Sequence, residues 1–342
     1  MTVQEIKELI KSSEYDFLRN NEHLGDNISI ITVGGSHAYG TNTDSSDVDI
    51  RGMFLPKVEE VIGFGKYETF TNDDTDTCLY SFRKFVELLY HGNSSALDVI
   101  GSKPEYILYL DDVGRQILDN SSIFLSKSLI RSLGGFANKE LRWLFLKLSG
   151  NKDNITQVQL EENAKRALGY AVGGLAQFVK DYGNIDFHLE DSDRDGFDKE
   201  ILVSTELKNY PIREFNHLLS GLRDIVNSYD RLKETKKPRN DKKVNKHAMH
   251  TVRIYAMGIE LLEDGVVRTY REKEHELLMD IRNGKYLKED GSYDESYFDI
   301  VNDYRNRFDL ACKHTVLPDK PDYKRIEELV MSVNKKVVLG YV

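Results

Sequence analysis

The chain is poor in cysteine and has no long apolar runs. Its two cysteines, Cys78 and Cys312, stand far apart in a chain of 342 residues. They form no metal-ligand spacing and no disulfide framework, which predicts reduced thiols in a cytoplasm. No stretch approaches the ~18 apolar residues that span a membrane. The opening MTVQEIKELIKSSEYDFL is amphipathic and carries acids, so no basic leader followed by an apolar core is present and no signal peptide is expected. Basic charge is also in deficit. The formal net charge of −10 argues against a surface that binds nucleic acid all over. No internal repeat and no low-complexity segment is found.

What is present is a soluble globular composition, 40% hydrophobic and 30% charged, in a length that admits two domains or one large one. Residues 3–12 carry Val3, Ile6, Leu9 and Ile10 at helical spacing. ISIITVGG reads as a buried β-branched strand stopped by glycine, and DVDIRGMFLP alternates as a second strand that ends at Pro56. VEEVIGFG is a short helix. YETFTN and DTDTCLYS are strands separated by an acidic turn, and SFRKFVELLYHG is an amphipathic helix with a stop at Gly92. From about residue 105 helical periodicity dominates, over 120–149, 159–181, 205–231, 245–264, 273–283, 295–314 and 322–337. These patterns predict an α+β fold: a small mixed sheet with helices over 1–104, then a helical C-terminal domain over 105–342. A nucleotide would sit in the cleft between them, since ligand sites favour domain interfaces.

The chemistry concentrates in GGSHAYGTNTDSSDVDIRG, residues 34–52. Asp47 and Asp49 are two positions apart, so on a strand both carboxylates share one face. Two like charges that close are costly unless a cation sits between them. Mg²⁺ takes oxygen ligands of this kind, with waters and substrate phosphates completing its shell. The alternative is a surface strand with two solvated acids. Upstream, Gly34 and Gly35 let the backbone approach a ligand, and Ser36 offers a hydroxyl and a cap for a helix through HAYG. The N–H groups of that helix would face a phosphate. The pattern is neither a P-loop nor a dinucleotide fingerprint. A phosphate cradle beside a metal site suits phosphoryl or nucleotidyl transfer.

Strand, Gly-Gly-Ser, loop and SDVDIRG together resemble the signature of the DNA polymerase β-type nucleotidyltransferase superfamily. GSHAYGTNTDSSDVDIRG, SFRKFVELLYHGNSSALDVI, KHAMHTVRIYAMGIELLEDGVV and HELLMDIRNGKY follow one another in the order of a bacterial and phage family of nucleotidyltransferases that includes RNA-repair-pathway polymerase-β-like proteins. The resemblance implies catalysis with two Mg²⁺ ions, for which Mn²⁺ can substitute. Asp47 and Asp49 would hold the nucleotide-side ion, and a third carboxylate, Asp76 with Asp74 as the alternative, would join them at the second. The ions would clamp the attacking and leaving oxygens of an in-line displacement at the α-phosphate of an NTP such as ATP. Gly35 and Ser36 would hold the β- and γ-phosphates.

Positive charge must balance a triphosphate. Lys246, His250 and Arg253 fall on one helical face, with His247 one step off it. They face a nucleotide or an RNA phosphate, or the histidines are simply packing residues. Lys84 and Arg51 are further candidate phosphate partners, Arg51 with the alternative of an ordinary strand residue beside acids, and Tyr39 is a candidate to stack on a base, with the alternative of a core aromatic. In KETKKPRNDKKVNK, residues 233–246, Lys and Arg outnumber acids seven to two, which is either a basic groove or a solvated loop. DSDRDGF, residues 191–197, begins like an EF-hand loop but has Leu202 where the bidentate Glu belongs, so it reads as an acidic surface loop. The expected reaction is NMP transfer from an NTP to RNA, at a 3′ end or on a tRNA. The alternatives are transfer to a protein hydroxyl, and a non-catalytic nucleotide- or RNA-binding protein on the same fold.

Overall fold

The computed structural model describes residues 1–150, 155–193, 199–233 and 238–341. The chain divides into two units. Unit 1 comprises Met1–Ser132, Ala256–Glu276 and Asn306–Val342, and unit 2 comprises Leu133–Tyr255 and Leu277–Arg305. Among the described residues no helix is long and apolar enough to cross a membrane. Both cysteines are free.

Unit 1 holds a five-stranded sheet of β1 (Ile28–Val33), β2 (Ile50–Phe54), β3 (Thr69–Asn72), β4 (Thr77–Ser81) and β5 (Ile107–Leu110), in the order β3-β4-β2-β1-β5. β1 is antiparallel to β2 and β5, and β3 to β4, while β2 and β4 are parallel. β1 is buried at all six positions, Ser29 and Thr32 included, and its other four residues are Ile and Val. The helix Phe82–Tyr90 buries Phe82, Phe85, Val86 and Leu89, an i, i+3, i+4, i+7 stripe. The helix Val3–Leu9 starts in a capping box between Thr2 and Glu5 and sends Ile6 inward. Ile6, Leu18, Ile31, Val48, Ile50, Phe54 and Leu79 join in one core. Each such side chain, fully buried, contributes about 1.5–3 kcal/mol.

Unit 2 is mostly helical. Its described part includes the helix Gln157–Val179, the helix Phe215–Lys233 and the greater part of Asp241–Asp264. It also carries a hairpin of β6 (Gly183–Asp191) and β7 (Lys199–Leu207). Ala171, Leu175, Val179, Ile185, Leu218 and Ile225 form its core beside the hairpin. Arg142 is 4% exposed and donates to Asp224 Oδ1 at 2.8 Å and to Ser228 Oγ at 3.1 Å.

The α+β fold with a mixed sheet and a mostly helical C-terminal region stands as expected, with local differences. The helix expected over 120–149 is a 3₁₀ turn, Ser121–Phe124, followed by the helix Ser128–Leu148. The helix expected from 205 begins at Phe215, because 199–207 pairs as β7. The strand expected over DTDTCLYS begins only at Thr77. Asn72 Oδ1 accepts from both the backbone N–H and the hydroxyl of Thr75, which ties 73–76 into a turn. Residues 194–198 of the EF-hand-like stretch and 234–237 of the basic stretch lie outside the described residues. Asp191 stands at the end of β6, opposite Lys199.

Candidate functional site

The site is built where β1 ends and β2 begins. Asp47 and Asp49 lie in the extended segment leading into β2 rather than within the strand. Alternation is nevertheless kept: Asp47 is exposed, Val48 buried, Asp49 half-buried and Ile50 buried. The Gly34 N–H donates to the Asp49 carbonyl at 2.8 Å, so the ladder between the strands continues one step into the glycine pair. Gly35 then takes a left-handed φ of +56° and opens a one-turn helix, Gly35–Ala38. Gly34 is the N-cap and Ser36 lies inside the turn, so Ser36 does not cap it. The Ala38 N–H donates to the Gly34 carbonyl at 3.2 Å and closes the turn, while the first-turn amides of Gly35, Ser36 and His37 have no partner within the helix itself.

A Cβ on Gly35 would stand 1.8 Å from Asp49 Oδ2. The main chain of the glycine turn therefore lies directly against the carboxylate. Glycine takes both that approach and that φ without strain, whereas any Cβ there would have to displace the carboxylate.

The Asp76 carboxylate comes from the turn that leads into the strand alongside. β2 and β4 pair in parallel with Ile50 opposite Thr77. The Ile50 N–H donates to the Asp76 carbonyl at 3.2 Å. Asp76 is the last residue of the β3–β4 turn, with φ +44°, and its side chain is 58% exposed. Asp49 and Asp76 are joined by one guanidinium: Arg51 Nη2 donates to Asp49 Oδ1 at 2.9 Å and to Asp76 Oδ1 at 3.0 Å. Arg51 Nη1 also donates to the carbonyls of Ile50, at 3.0 Å, and of Asp76. Burial would lower the pKa of Arg51, but the two aspartates outweigh it and the guanidinium holds its proton more tightly than usual. Asp73 and Asp74 are exposed in the same turn. Beside Arg51 on β4 stand Cys78 and Tyr80, whose phenol burial pushes up to about 12.

The other anticipated residues are placed as follows. Tyr39 is 6% exposed and its phenol donates to an Asp98 carboxylate oxygen. The next residue, Gly40, is pressed against Tyr270, whose ring would stand 2.6 Å from a Cβ there. Lys84 pairs with Glu87 at 3.2 Å on its own helix. In unit 2, Lys246 is exposed and Arg253 is 4% exposed, with its Nε donating to His250 Nδ1 at 3.3 Å. His247 is held by Glu140, Nδ1 to Oε2 2.7 Å. Unit 1 thus brings Gly35, Asp49 and Asp76 together, while Lys246, His250 and Arg253 are grouped in unit 2.

Residues 9–157 match the RNA repair pathway DNA polymerase beta family. The match to this family covers the whole five-stranded sheet, the glycine turn and all three carboxylates, and it takes in less than half of the chain. An uncharacterized 38.9 kDa protein encoded in the nrdC-mobD intergenic region of Enterobacteria phage T4 is 33% identical over 119 residues. That alignment covers 31% of this chain and 35% of the phage protein, so the chain spans about a third of the curated relative it matches. No solved structure matches the chain.

Polymerase-β-family proteins typically use divalent metals. Among the described residues no three His, Cys, Asp or Glu side chains are grouped so as to hold a metal ion by themselves. The chemistry of the donors does suit one. Asp49 and Asp76 bracket a single positive group, the Arg51 guanidinium, and supply only oxygens. Mg²⁺ ordinarily keeps one or two protein carboxylates and takes the rest of its shell from waters and substrate phosphates. Sequence reasoning missed the role of Arg51 as the bridge. The signal was its place two residues after Asp49, on the same strand face.

Proposed function

We propose that the protein is a metal-dependent nucleotidyltransferase that moves an NMP from an NTP to a hydroxyl of an RNA acceptor and releases pyrophosphate. The observation that carries this reading is the pair Asp49 and Asp76, each immediately before one of two neighbouring strands, bridged by Arg51, with the Gly35 turn against Asp49.

Asp47, Asp49 and Asp76 would hold Mg²⁺. When bound, the ions neutralise triphosphate charge and lower the pKa of the attacking hydroxyl. The residues of the chain do the rest. Gly35 and the Ser36 hydroxyl orient the β- and γ-phosphates, so that the leaving pyrophosphate lies opposite the incoming oxygen. Asp76, the more exposed carboxylate, takes up the proton of the acceptor hydroxyl. The acceptor oxygen bonds to the α-phosphorus as the bond from that phosphorus to pyrophosphate breaks.

The test is incubation with each α-labelled NTP, Mg²⁺ or Mn²⁺, total RNA and total protein, beside Asp49→Ala. Label in RNA that disappears in the variant supports the reading and names the base. Label in protein keeps the chemistry and replaces the acceptor. Absence of label with every NTP and acceptor sinks the transferase reading.

A further inference from the structure

The glycine turn is a single turn of helix, Gly35–Ala38, and one turn has little stability of its own. Its first residue lies against Asp49. Four amides close it. Ala38 N–H donates to the Gly34 carbonyl at 3.2 Å, Tyr39 N–H to Gly35 at 3.3 Å, Gly40 N–H to His37 at 3.1 Å and Thr41 N–H to Ser36 at 2.8 Å. Beyond these bonds, its C-terminal end meets a part of unit 1 that is remote in sequence. The Arg271 N–H donates to the Tyr39 carbonyl at 3.4 Å. The Tyr270 ring lies on Gly40, 2.6 Å from the place of a Cβ, and Gly40 has a left-handed φ of +70°.

Residues 267–271 are neither helix nor strand, so no ladder of their own holds them. They are anchored at successive points. Gly101 lies so near Val267 that a Cβ on it would stand 2.6 Å from Val267 Cγ1. Thr269 is 1% exposed and donates both its N–H, at 3.0 Å, and its hydroxyl, at 3.1 Å, to the Gly101 carbonyl. Tyr270 stacks on Tyr106 with ring centroids 6.0 Å apart, and the Lys103 ammonium stands 4.6 Å from the Tyr270 centroid. Arg271 is 3% exposed and is the tightest anchor. Its Nη1 donates to Glu260 Oε2 at 2.5 Å, and its Nε donates to Glu274 Oε2 at 3.0 Å. Glu260 belongs to the helix Asp241–Asp264, and Glu274 to the turn just after the segment. Removing a guanidinium buried in this way leaves its acids without their partner, which is strongly unfavourable.

The same ion pairs fix what Arg271 does. The segment forms one wall of a cavity of about 530 Å³ in unit 1, and residues 100–104 form another. The cations of that cavity already meet carboxylates of its own lining: Lys103 meets Glu272 at 3.1 Å and Arg268 meets Glu260 at 2.7 Å. The Arg271 fork is likewise occupied by Glu260 and Glu274. Its influence on the glycine turn therefore passes through the main chain and ring of residues 270–271.

We propose that residues 267–271 are a strap that holds the glycine turn in its phosphate-binding geometry, and that Arg271 is the positioning residue that locks the strap. The ordering of the turn stands on the contacts above, and its consequence for a nucleotide rests on the transferase reading. A turn held at both ends keeps the amides of Gly35, Ser36 and His37 in one place. Donors fixed in advance bind phosphate with less loss of freedom than donors that must be ordered on binding.

The experiment is hydrogen exchange on the full chain, in EDTA and without nucleotide, read on peptides that cover Ala38–Thr41, together with the transfer assay. Wild type, Arg271→Gln, Arg271→Lys, Tyr270→Ala and Ile117→Val are compared after a folding check. Ile117 is fully buried on the helix Asp112–Asp119, so Ile117→Val controls for a general loss of stability. Arg271→Gln should speed exchange of the four amides about tenfold and leave peptides of the helix Gln157–Val179 unchanged. Arg271→Lys should lie between, because an ammonium keeps the charge and loses the fork. Tyr270→Ala leaves the ion pairs of Arg271 in place and should also loosen the turn, which keeps the test open if the arginine variants do not fold. In the transfer assay KM for NTP should rise about tenfold while kcat changes less. Unchanged exchange in folded Arg271→Gln, or in Tyr270→Ala where the arginine variants do not fold, overturns the proposal. Equal acceleration in Ile117→Val does the same. Faster exchange at Ala38–Thr41 with an unchanged KM overturns the positioning role. Faster exchange in a protein whose wild type transfers no nucleotide supports the strap and sinks the transferase reading, so the two failures are told apart.

Discussion

Gly35 has no room for a side chain because Asp49 is there: a Cβ would stand 1.8 Å from the Asp49 carboxylate. The obstructing atom is the end of a short side chain, so Gly35→Ala can be accommodated by swinging the carboxylate away. That swing breaks its contact with Arg51. The φ of +56° adds a backbone cost of about 1 kcal/mol for alanine. Gly35→Ala is expected to lower Tm by only a few degrees while nucleotidyl transfer falls more than tenfold. Labelled-NTP assays beside thermal melts check the separation.

The three aspartates should not behave like their neighbours in the β3–β4 turn. On the metal-ligand reading proposed above, Asp47→Ala, Asp49→Ala and Asp76→Ala are each expected to reduce transfer by roughly a hundredfold or more, because each removes a charged oxygen donor whose place a neutral water takes without its charge or fixed position. Asp74→Ala should retain most of the activity. Transfer rates at saturating Mg²⁺ decide this, and a severe loss in Asp74→Ala with normal Asp76→Ala would exchange the two assignments.

Arg51 supplies the positive charge between Asp49 and Asp76. Arg51→Gln leaves those carboxylates facing one another across a neutral side chain. The variant is expected to melt lower than wild type in EDTA and to gain more than wild type from added Mg²⁺, since an ion that binds only the folded state raises its stability. Melting curves against Mg²⁺ concentration show it. Equal gains in both proteins would mean that Arg51 does not stand in for a cation.

His37 is 2% exposed, and burial holds its pKa below 6.5; His250 is held lower still, by burial and by the cations near it. Below pH 6.5 the unfolded chain therefore binds protons that the folded chain refuses, so stability is lost as pH falls. Denaturant melts between about pH 7 and pH 5, above most of the carboxylate range, should show stability decreasing with acidity. His37→Gln should flatten that slope whatever it does to stability at pH 7.

In unit 2, Arg142 is 4% exposed and satisfied by Asp224 and Ser228. Arg142→Ala removes the stem as well as the charge, takes the cation from Asp224, and leaves the fully buried Ser228 hydroxyl with its bond to the Asp224 carbonyl alone. A loss of about 2–4 kcal/mol is expected from chemical denaturation.

Much of unit 1 was legible because its signals are local. β1 is β-branched at five of its six positions, and the helix Phe82–Tyr90 shows its buried stripe directly. The glycine pair and the Asp-x-Asp step were likewise visible as spacing. The hairpin β6–β7 was not. Of the nine residues of β6 only Ile185 is buried, so there is no apolar alternation for a reader to find. Its stability comes from pairing and from one side packed on a helix core. The Arg51 bridge and the burial of Tyr39 against Asp98 were hidden for another reason: each depends on residues 25 or more positions apart that only the fold brings together.

The parallel pairing of β2 with β4 has a consequence for tolerance to change. The bond from Ile50 N–H to the Asp76 carbonyl is a rung of main chain, so the distance between the second and third carboxylates is set by strand spacing, not by the loop that joins them. The stretch 55–68 could lengthen or shorten while that distance stayed the same. A slip of β4 by one residue would instead turn Asp76 to the opposite face of the sheet and bring Thr77 into its place. Length variation is therefore permitted in the crossover and forbidden within five residues of ladder, which makes strand register the quantity that selection or design must hold constant here.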